Sequence, residues 1–178
     1  MNIRRFRTKA LALVLISFAV AACQTSYRAI RPGSEIDAGT GYVVMRFRGP
    51  DANVSLVELT ERTYRTMDLR DTDKLQLVPL PAGDYAVTYM SGTRGLLATF
   101  FLGSAKFYFQ IPLDLMRVIR VRPGTAVYIG ELDIRRTVDL NPFVDGRIGY
   151  SYDLNQALPE FTSLYDPAER LTLVGFQE

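Results

Sequence analysis

The sequence predicts a mainly β fold, an antiparallel β-sandwich with one short C-terminal helix. Three observations carry that reading. Short runs rich in Val, Ile, Leu and Tyr alternate apolar with polar residues. Turn residues separate these runs at intervals of roughly ten residues, the spacing of sandwich strands. One stretch only, beginning at Asp153, combines a cap with helical spacing of apolar residues. No internal repeat is visible.

Tyr42–Arg48 reads as a half-buried strand, with Val43, Met45 and Phe47 on one face and Tyr42, Val44, Arg46 and Arg48 on the other. Gly49-Pro50-Asp51 is a turn signal. Val54–Thr60 is a second strand, followed by the weaker Thr63–Met67, the polar loop Asp68–Asp73, and Leu75–Leu80, which Pro79 and Pro81 should stop. Asp84–Met90 alternates clearly, with Tyr85, Val87 and Tyr89 on one face. Met116–Val121 and Thr125–Ile134 are strands joined through Arg122-Pro123-Gly124, and Arg147–Tyr152 is a short one. In the predicted helix Asp153 is the cap and Gln156 its capping-box partner. Leu154, Ala157, Leu158 and Phe161 form the apolar stripe, and Pro159 should limit or kink the helix. It should end before Pro167, with Leu171–Phe176 as the last strand.

Two motifs carry a family resemblance. Leu80-Pro81-Ala82-Gly83-Asp84-Tyr85-Ala86-Val87 resembles the L-P-x-G-x-Y-x-V pattern of prealbumin-like β-sandwich domains, also called transthyretin-like or carboxypeptidase regulatory-like. Val121-Arg122-Pro123-Gly124-Thr125-Ala126-Val127-Tyr128-Ile129-Gly130 is similar to a later V-x-P-G-x-x-x-Y-I-G strand pair in bacterial lipoproteins of unknown function with that fold. Pro and Gly set the turn dihedrals, and the tyrosine enters the core with its hydroxyl reaching backbone. These residues carry fold, not chemistry. The resemblance implies a cell-envelope accessory domain and brings no catalytic residues.

The N-terminus gives the address. Arg4, Arg5, Arg7 and Lys9 precede the 13-residue apolar run Ala10–Ala22, in which Ser17 is the one polar residue. A basic segment, a short apolar run and small residues at its end form the pattern of a secretory signal. The run is too short to span a bilayer, which takes about 20 apolar residues. Val20-Ala21-Ala22-Cys23 resembles the lipobox of bacterial lipoproteins, and Cys23 is the single cysteine of the chain. The resemblance implies cleavage between Ala22 and Cys23, a diacylglycerol on the thiol and an acylated new amino terminus. Gln24, in place of the aspartate that marks inner-membrane retention in that family, points to the periplasmic face of the outer membrane. The organisation is then 1–22 signal, 23–40 lipidated flexible tether and 41–178 one sandwich domain. The segment Gln24–Gly39 shows no period of 2 or 3.6.

Composition narrows the chemistry. Four of the 21 Lys and Arg residues lie in the signal and none of the 19 acidic residues do, so the mature chain carries 17 basic and 19 acidic residues, net −2. That balance does not support a nucleic-acid partner. Lipidation of Cys23 would leave no thiol, and the chain has no histidine, which excludes triads and zinc sites built on His. No cofactor or metal is expected.

Candidate sites remain. Gly95–Leu115 is strongly apolar, with Lys106 and Asp114 its only charges. It reads either as buried strands or as a loop in which Phe100, Phe101 and Leu102 touch a membrane or partner. Asp68, Asp71 and Asp73, and likewise Asp139, Asn141, Asp145 and Gly146, offer oxygen ligands of the kind calcium takes. The first group lacks the glycine and bidentate glutamate of an EF-hand loop, and both groups read as solvated turns. Glu131 and Asp133 share a strand face, an arrangement a carboxylate-dependent hydrolase would need. Arg135 and Arg136 follow at once and favour an ion-paired exposed face instead. The leading expectation is a non-catalytic lipoprotein, held in the membrane by lipid on Cys23, that binds or supports an envelope protein partner. The alternative is a carbohydrate or peptidoglycan module in which Tyr150 and Tyr152 stack on sugar rings.

Overall fold

A computed structural model describes residues 25–49, 51–70, 72–93, 106–109, 115–135, 147–166 and 170–176. Along the chain these form β1 (Thr25–Arg28), β2 (Gly41–Arg48), β3 (Ala52–Glu58), β4 (Tyr64–Leu69), β5 (Thr72–Leu80) and β6 (Gly83–Thr93). Then come β7 (Lys106–Phe109), β8 (Ile119–Val121), β9 (Thr125–Arg135), β10 (Arg147–Ser151), α1 (Leu154–Leu164) and β11 (Thr172–Val174). One sheet runs β1-β4-β3-β6-β7, with β8 also on β6; the other runs β10-β9-β2-β5, with β11 also on β9. The two sheets pack face to face as a β-sandwich, and α1 covers the outer face of the second.

Among the described residues the expected sandwich and one C-terminal helix are present, but the sheets are mixed instead of purely antiparallel. β1 with β4, β2 with β9 and β11 with β9 are parallel pairs. Parallel neighbours need a long crossover between them. The three pairs accordingly join segments distant in sequence.

The central strands of the second sheet, β2 and β9, are buried on both faces. Val43, Met45 and Phe47 point into the core between the sheets, together with Leu56, Met67 and Ile129. Tyr42 and Val44 point the other way, into a second core with Leu77, Tyr128, Ala157 and Phe161. β2 is therefore buried from Gly41 through Phe47, not half-buried. The helix is the physical reason. Its Ala157 and Phe161 face sheet while Leu158 is exposed, so the apolar stripe is narrower than predicted. The Asp153 side chain accepts the Gln156 N–H at 3.0 Å, as a cap should, and the helix continues through Pro159 to Leu164.

Among the register shifts of the described strands, those in β6 and β9 reset the alternation. In β6, Ser55 pairs with Tyr89 but Leu56 with Val87, so Thr88 is the extra residue, and its hydroxyl donates to the Ser55 carbonyl at 3.1 Å. Tyr85, Val87 and Met90 consequently face the core, and Tyr89 turns outward, against the predicted single face. In β9, Val44 pairs with Tyr128 but Arg46 with Glu131. Gly130 lies in that step with φ 101°, a region closed to most side chains. Pro79 does not stop β5; it lies inside that strand, which is at the end of its sheet, where a missing N–H is tolerated. Tyr85 is buried and its hydroxyl donates to the Pro81 carbonyl at 2.9 Å, tying the strand to the turn before it.

The largest departure concerns the segment read as a flexible tether. Thr25–Arg28 pairs in register with Arg65–Asp68. The Ile30 N–H then donates to the Leu77 carbonyl of the opposite sheet at 2.9 Å, so this strand links both sheets along one side. Gly33 N–H donates to the Leu164 carbonyl at 3.1 Å, Ile36 is buried, and the Tyr42 hydroxyl bonds the Asp37 backbone. Tyr27 and Ala29 pack on the first core, which is what four polar-flanked strand residues failed to announce.

A Cβ at Gly130 would lie 2.7 Å from the Ser151 carbonyl oxygen in addition to the strained φ. Gly130→Ala is expected to destabilise the fold by about 1–3 kcal/mol, seen as a lower urea midpoint in equilibrium unfolding.

Candidate functional site

Two polar features stand out among the described residues. The first is an ionic clamp under α1. The β9 bulge turns Glu131 to the same side as Arg46, its cross-strand partner. The Arg46 guanidinium binds Glu131 through one nitrogen and Glu160 of α1 through another. Its side chain is only 9% exposed, against 21% and 28% for the two carboxylates. Glu160 also accepts the Leu75 N–H at 2.9 Å, and the Tyr165 hydroxyl donates to the Leu75 carbonyl at 2.7 Å. The helix thus satisfies both backbone groups of Leu75 on β5. A buried cation shared by two carboxylates pins β2, β9 and α1 in one arrangement; removing one partner of such a cluster costs about 3–5 kcal/mol.

Glu131 is therefore committed to a cation across the sheet, in a partly buried setting instead of the exposed face expected with Arg135 and Arg136. This geometry locks a helix to a sheet.

The second feature is a cleft of about 680 Å³ where the C-terminal ends of β1 and β4 meet the start of β5. Arg28, Arg31, Arg70 and Lys74 line it, with Asp51 and Asp68 the acidic residues. Arg28 pairs with Asp68 at 3.2 Å. Gln76 holds Arg70 in place from both sides, accepting its N–H at 3.1 Å and donating to its carbonyl at 2.9 Å. Cations outnumber carboxylates on these walls, so the cleft suits an acidic group. Nothing in the sequence flagged it, because its walls come from β1, β3, β4, β5 and the end of α1.

The remaining predicted residues separate. Asp68 and Asp73 are not neighbours in a cluster; each has its own arginine, Arg28 at 3.2 Å and Arg48 at 2.9 Å. The polar loop expected over 68–73 is largely strand, since β4 runs to Leu69 and β5 starts at Thr72. No three His, Cys, Asp or Glu side chains converge among the described residues. Tyr150 faces inward, its hydroxyl donating to the Ile129 carbonyl at 3.2 Å, and is not available as a sugar platform. Tyr152 is 41% exposed, but its ring already meets Tyr128 at 5.2 Å and Phe176 at 5.9 Å. Ala22, Cys23, Phe100, Phe101, Leu102, Asp71, Asp139, Asn141, Asp145 and Gly146 lie outside the described residues. Within Gly95–Leu115, β7 pairs with β6 and Leu115 is buried. Among the described residues no helix is long and apolar enough to cross a membrane. Comparison with protein-family models, with curated proteins and with solved structures finds no match to this chain.

Tyr128 adds a pH response. It is fully buried between β9 and α1, and its hydroxyl lies near the Asp153 backbone without a hydrogen bond of normal geometry. Burial first, and the Glu131 charge second, push its pKa up to about 12. Burial also raises the hydroxyls of Tyr42, Tyr85 and Tyr165. An unfolded tyrosine ionises near pH 10. The folded protein holds these protons longer, so stability is full below about pH 10 and falls as pH rises towards about 12. Urea unfolding across that window should show the loss. Tyr128→Phe should make it shallower while changing neutral-pH stability little, since the hydroxyl it removes is poorly satisfied.

Proposed function

We propose that this chain is a lipid-anchored lipoprotein of the cell envelope, non-catalytic, whose sandwich holds a partner protein through the basic cleft. The observation that carries the proposal is the single cysteine at the end of a secretory signal, after Val20-Ala21-Ala22, two positions before the first strand. Acyl chains on that sulfur and on the new amino terminus would make attachment effectively permanent, because several chains hold where one alone is marginal. Gln24 favours the periplasmic face of the outer membrane as the location. The prealbumin-like motifs support the same reading, since their tyrosines and turn residues serve the scaffold. Tyr85 in the first motif is engaged with backbone, and Tyr128 in the second lies in the core beneath α1.

The cleft is a reasonable seat for the partner because of its position. It lies at the end of β1 remote from Cys23, and so faces away from the membrane that the anchor enters. Its excess of arginine and lysine fits an acidic segment, with arginine able to grip carboxylates bidentately.

Intact mass of the protein extracted from membranes tests the proposal. The expected species begins at Cys23 and carries a diacylglyceryl group and an amide-linked acyl chain, and Cys23→Ser should abolish both. An unmodified thiol at position 23, or a chain still carrying residues 1–22, would overturn it.

A further inference from the structure

The register of β1 bears on how the domain sits at a bilayer. Thr25 is level with Arg65, so Tyr64 is one residue step nearer the anchor and the β3–β4 turn, Leu59–Thr63, projects further still. From Cys23 to Thr25 is two residue steps, at most about 7 Å of chain. Any membrane holding the sulfur therefore lies within reach of that turn. At the turn, two large apolar side chains flank the exposed Thr60, Glu61 and Arg62: Leu59 is 45% and Tyr64 53% exposed. At its tip Arg62 has φ 56°, the one positive-φ residue other than glycine among the described residues. Glycine would occupy that position without strain, whereas a side chain costs on the order of 1 kcal/mol or more there. Such strain is retained where the side chain has a use. The turn is held rigid from behind, because Glu58 N–H donates to the Thr63 carbonyl at 2.9 Å and the Glu58 carboxylate accepts the Glu61 N–H.

We propose that this end of the sandwich rests on the phospholipid surface that holds the anchor, with Leu59 and Tyr64 entering the headgroup layer and Arg62 paired to lipid phosphate. The proposal rests on acylation of Cys23. The chemistry matches on each count. Tyrosine favours the boundary between headgroups and acyl chains, leucine gains from burial there, and a guanidinium forms paired hydrogen bonds to phosphate. Glu58 and Glu61 balance Arg62 and Arg65 around the turn, but the Glu58 carboxylate is taken up by the Glu61 N–H, and Arg62 is an exposed cation at the tip. One consequence is orientation. The domain stands upright on its β3–β4 end and presents the basic cleft at the opposite end.

The chain contains no tryptophan, so one introduced indole reports a single position. The acylated mature protein would be reconstituted into vesicles of phosphatidylethanolamine and phosphatidylglycerol, with and without brominated acyl chains. Tyr64→Trp and, separately, Leu59→Trp should shift emission to shorter wavelength and lose intensity in the brominated vesicles. Lys74→Trp, exposed beside the cleft, should do neither. Mass and vesicle flotation are read on the same samples. If the protein is acylated and floats with vesicles but positions 59 and 64 are quenched no more than position 74, the docking proposal falls and the anchor stands. If Cys23 is unmodified and the protein does not float, the anchor reading fails and the docking proposal fails with it.

Discussion

The parallel pairing of Thr25–Arg28 with Arg65–Asp68 governs how the rest of this molecule is presented. A linker of the same length would leave the sandwich free to tumble over a membrane. Paired as β1, the segment instead becomes the edge of one sheet, and through Ile30 it crosses to the other sheet at Leu77. This adds backbone hydrogen bonds and packs Tyr27 and Ala29 on the first core. It also leaves only two residue steps between the first described residue and position 23. If Cys23 is acylated as proposed, orientation follows from register: the end of the sandwich at Thr25 lies near the anchor and the other end away from it.

The second sheet explains why the domain needs its helix. β2 and β9 carry apolar residues on both faces, so an uncovered outer face would expose Tyr42, Val44, Ala126 and Tyr128. Covering that face buries Arg46 as well, and a lone buried guanidinium would be costly. Glu131 and Glu160 neutralise it from the sheet and from the helix. Such a cluster contributes more to fixing one helix position than to net stability, because desolvation offsets much of the attraction. Glu160 and Tyr165 then close the exposed backbone of Leu75, a position on the outer side of β5 where another strand would otherwise be able to pair.

Most strands, and the helix with its Asp153 cap, were legible because their apolar periods are strong and turn residues bound them. Tyr42–Arg48 was recognised as a strand but not as one buried twice over. Its near-continuous run Tyr-Val-Val-Met hinted at this, yet the covering helix lies more than a hundred residues later. The bulges were harder to see. Thr88 has no distinguishing residue type, whereas Gly130 inside an apolar strand is a recognised bulge signal. β1 escaped because it is four residues long, mostly polar, and parallel to its neighbour, so no local turn declares the pairing. Glu131 was singled out, but its partners were not, since Arg46 and Glu160 lie 85 and 29 positions away in sequence. The basic cleft was illegible for the same reason: it exists only where five separate elements meet.

The seating of β1 in its sheet can be measured directly by amide hydrogen exchange on the intact protein. With β1 seated as described, the Ile30 amide, bonded to the Leu77 carbonyl at 2.9 Å, exchanges as slowly as the paired amides of β4. Exchange of Ile30 and of residues 25–28 at the rate of an unstructured peptide would contradict it, and would return this segment to a flexible linker.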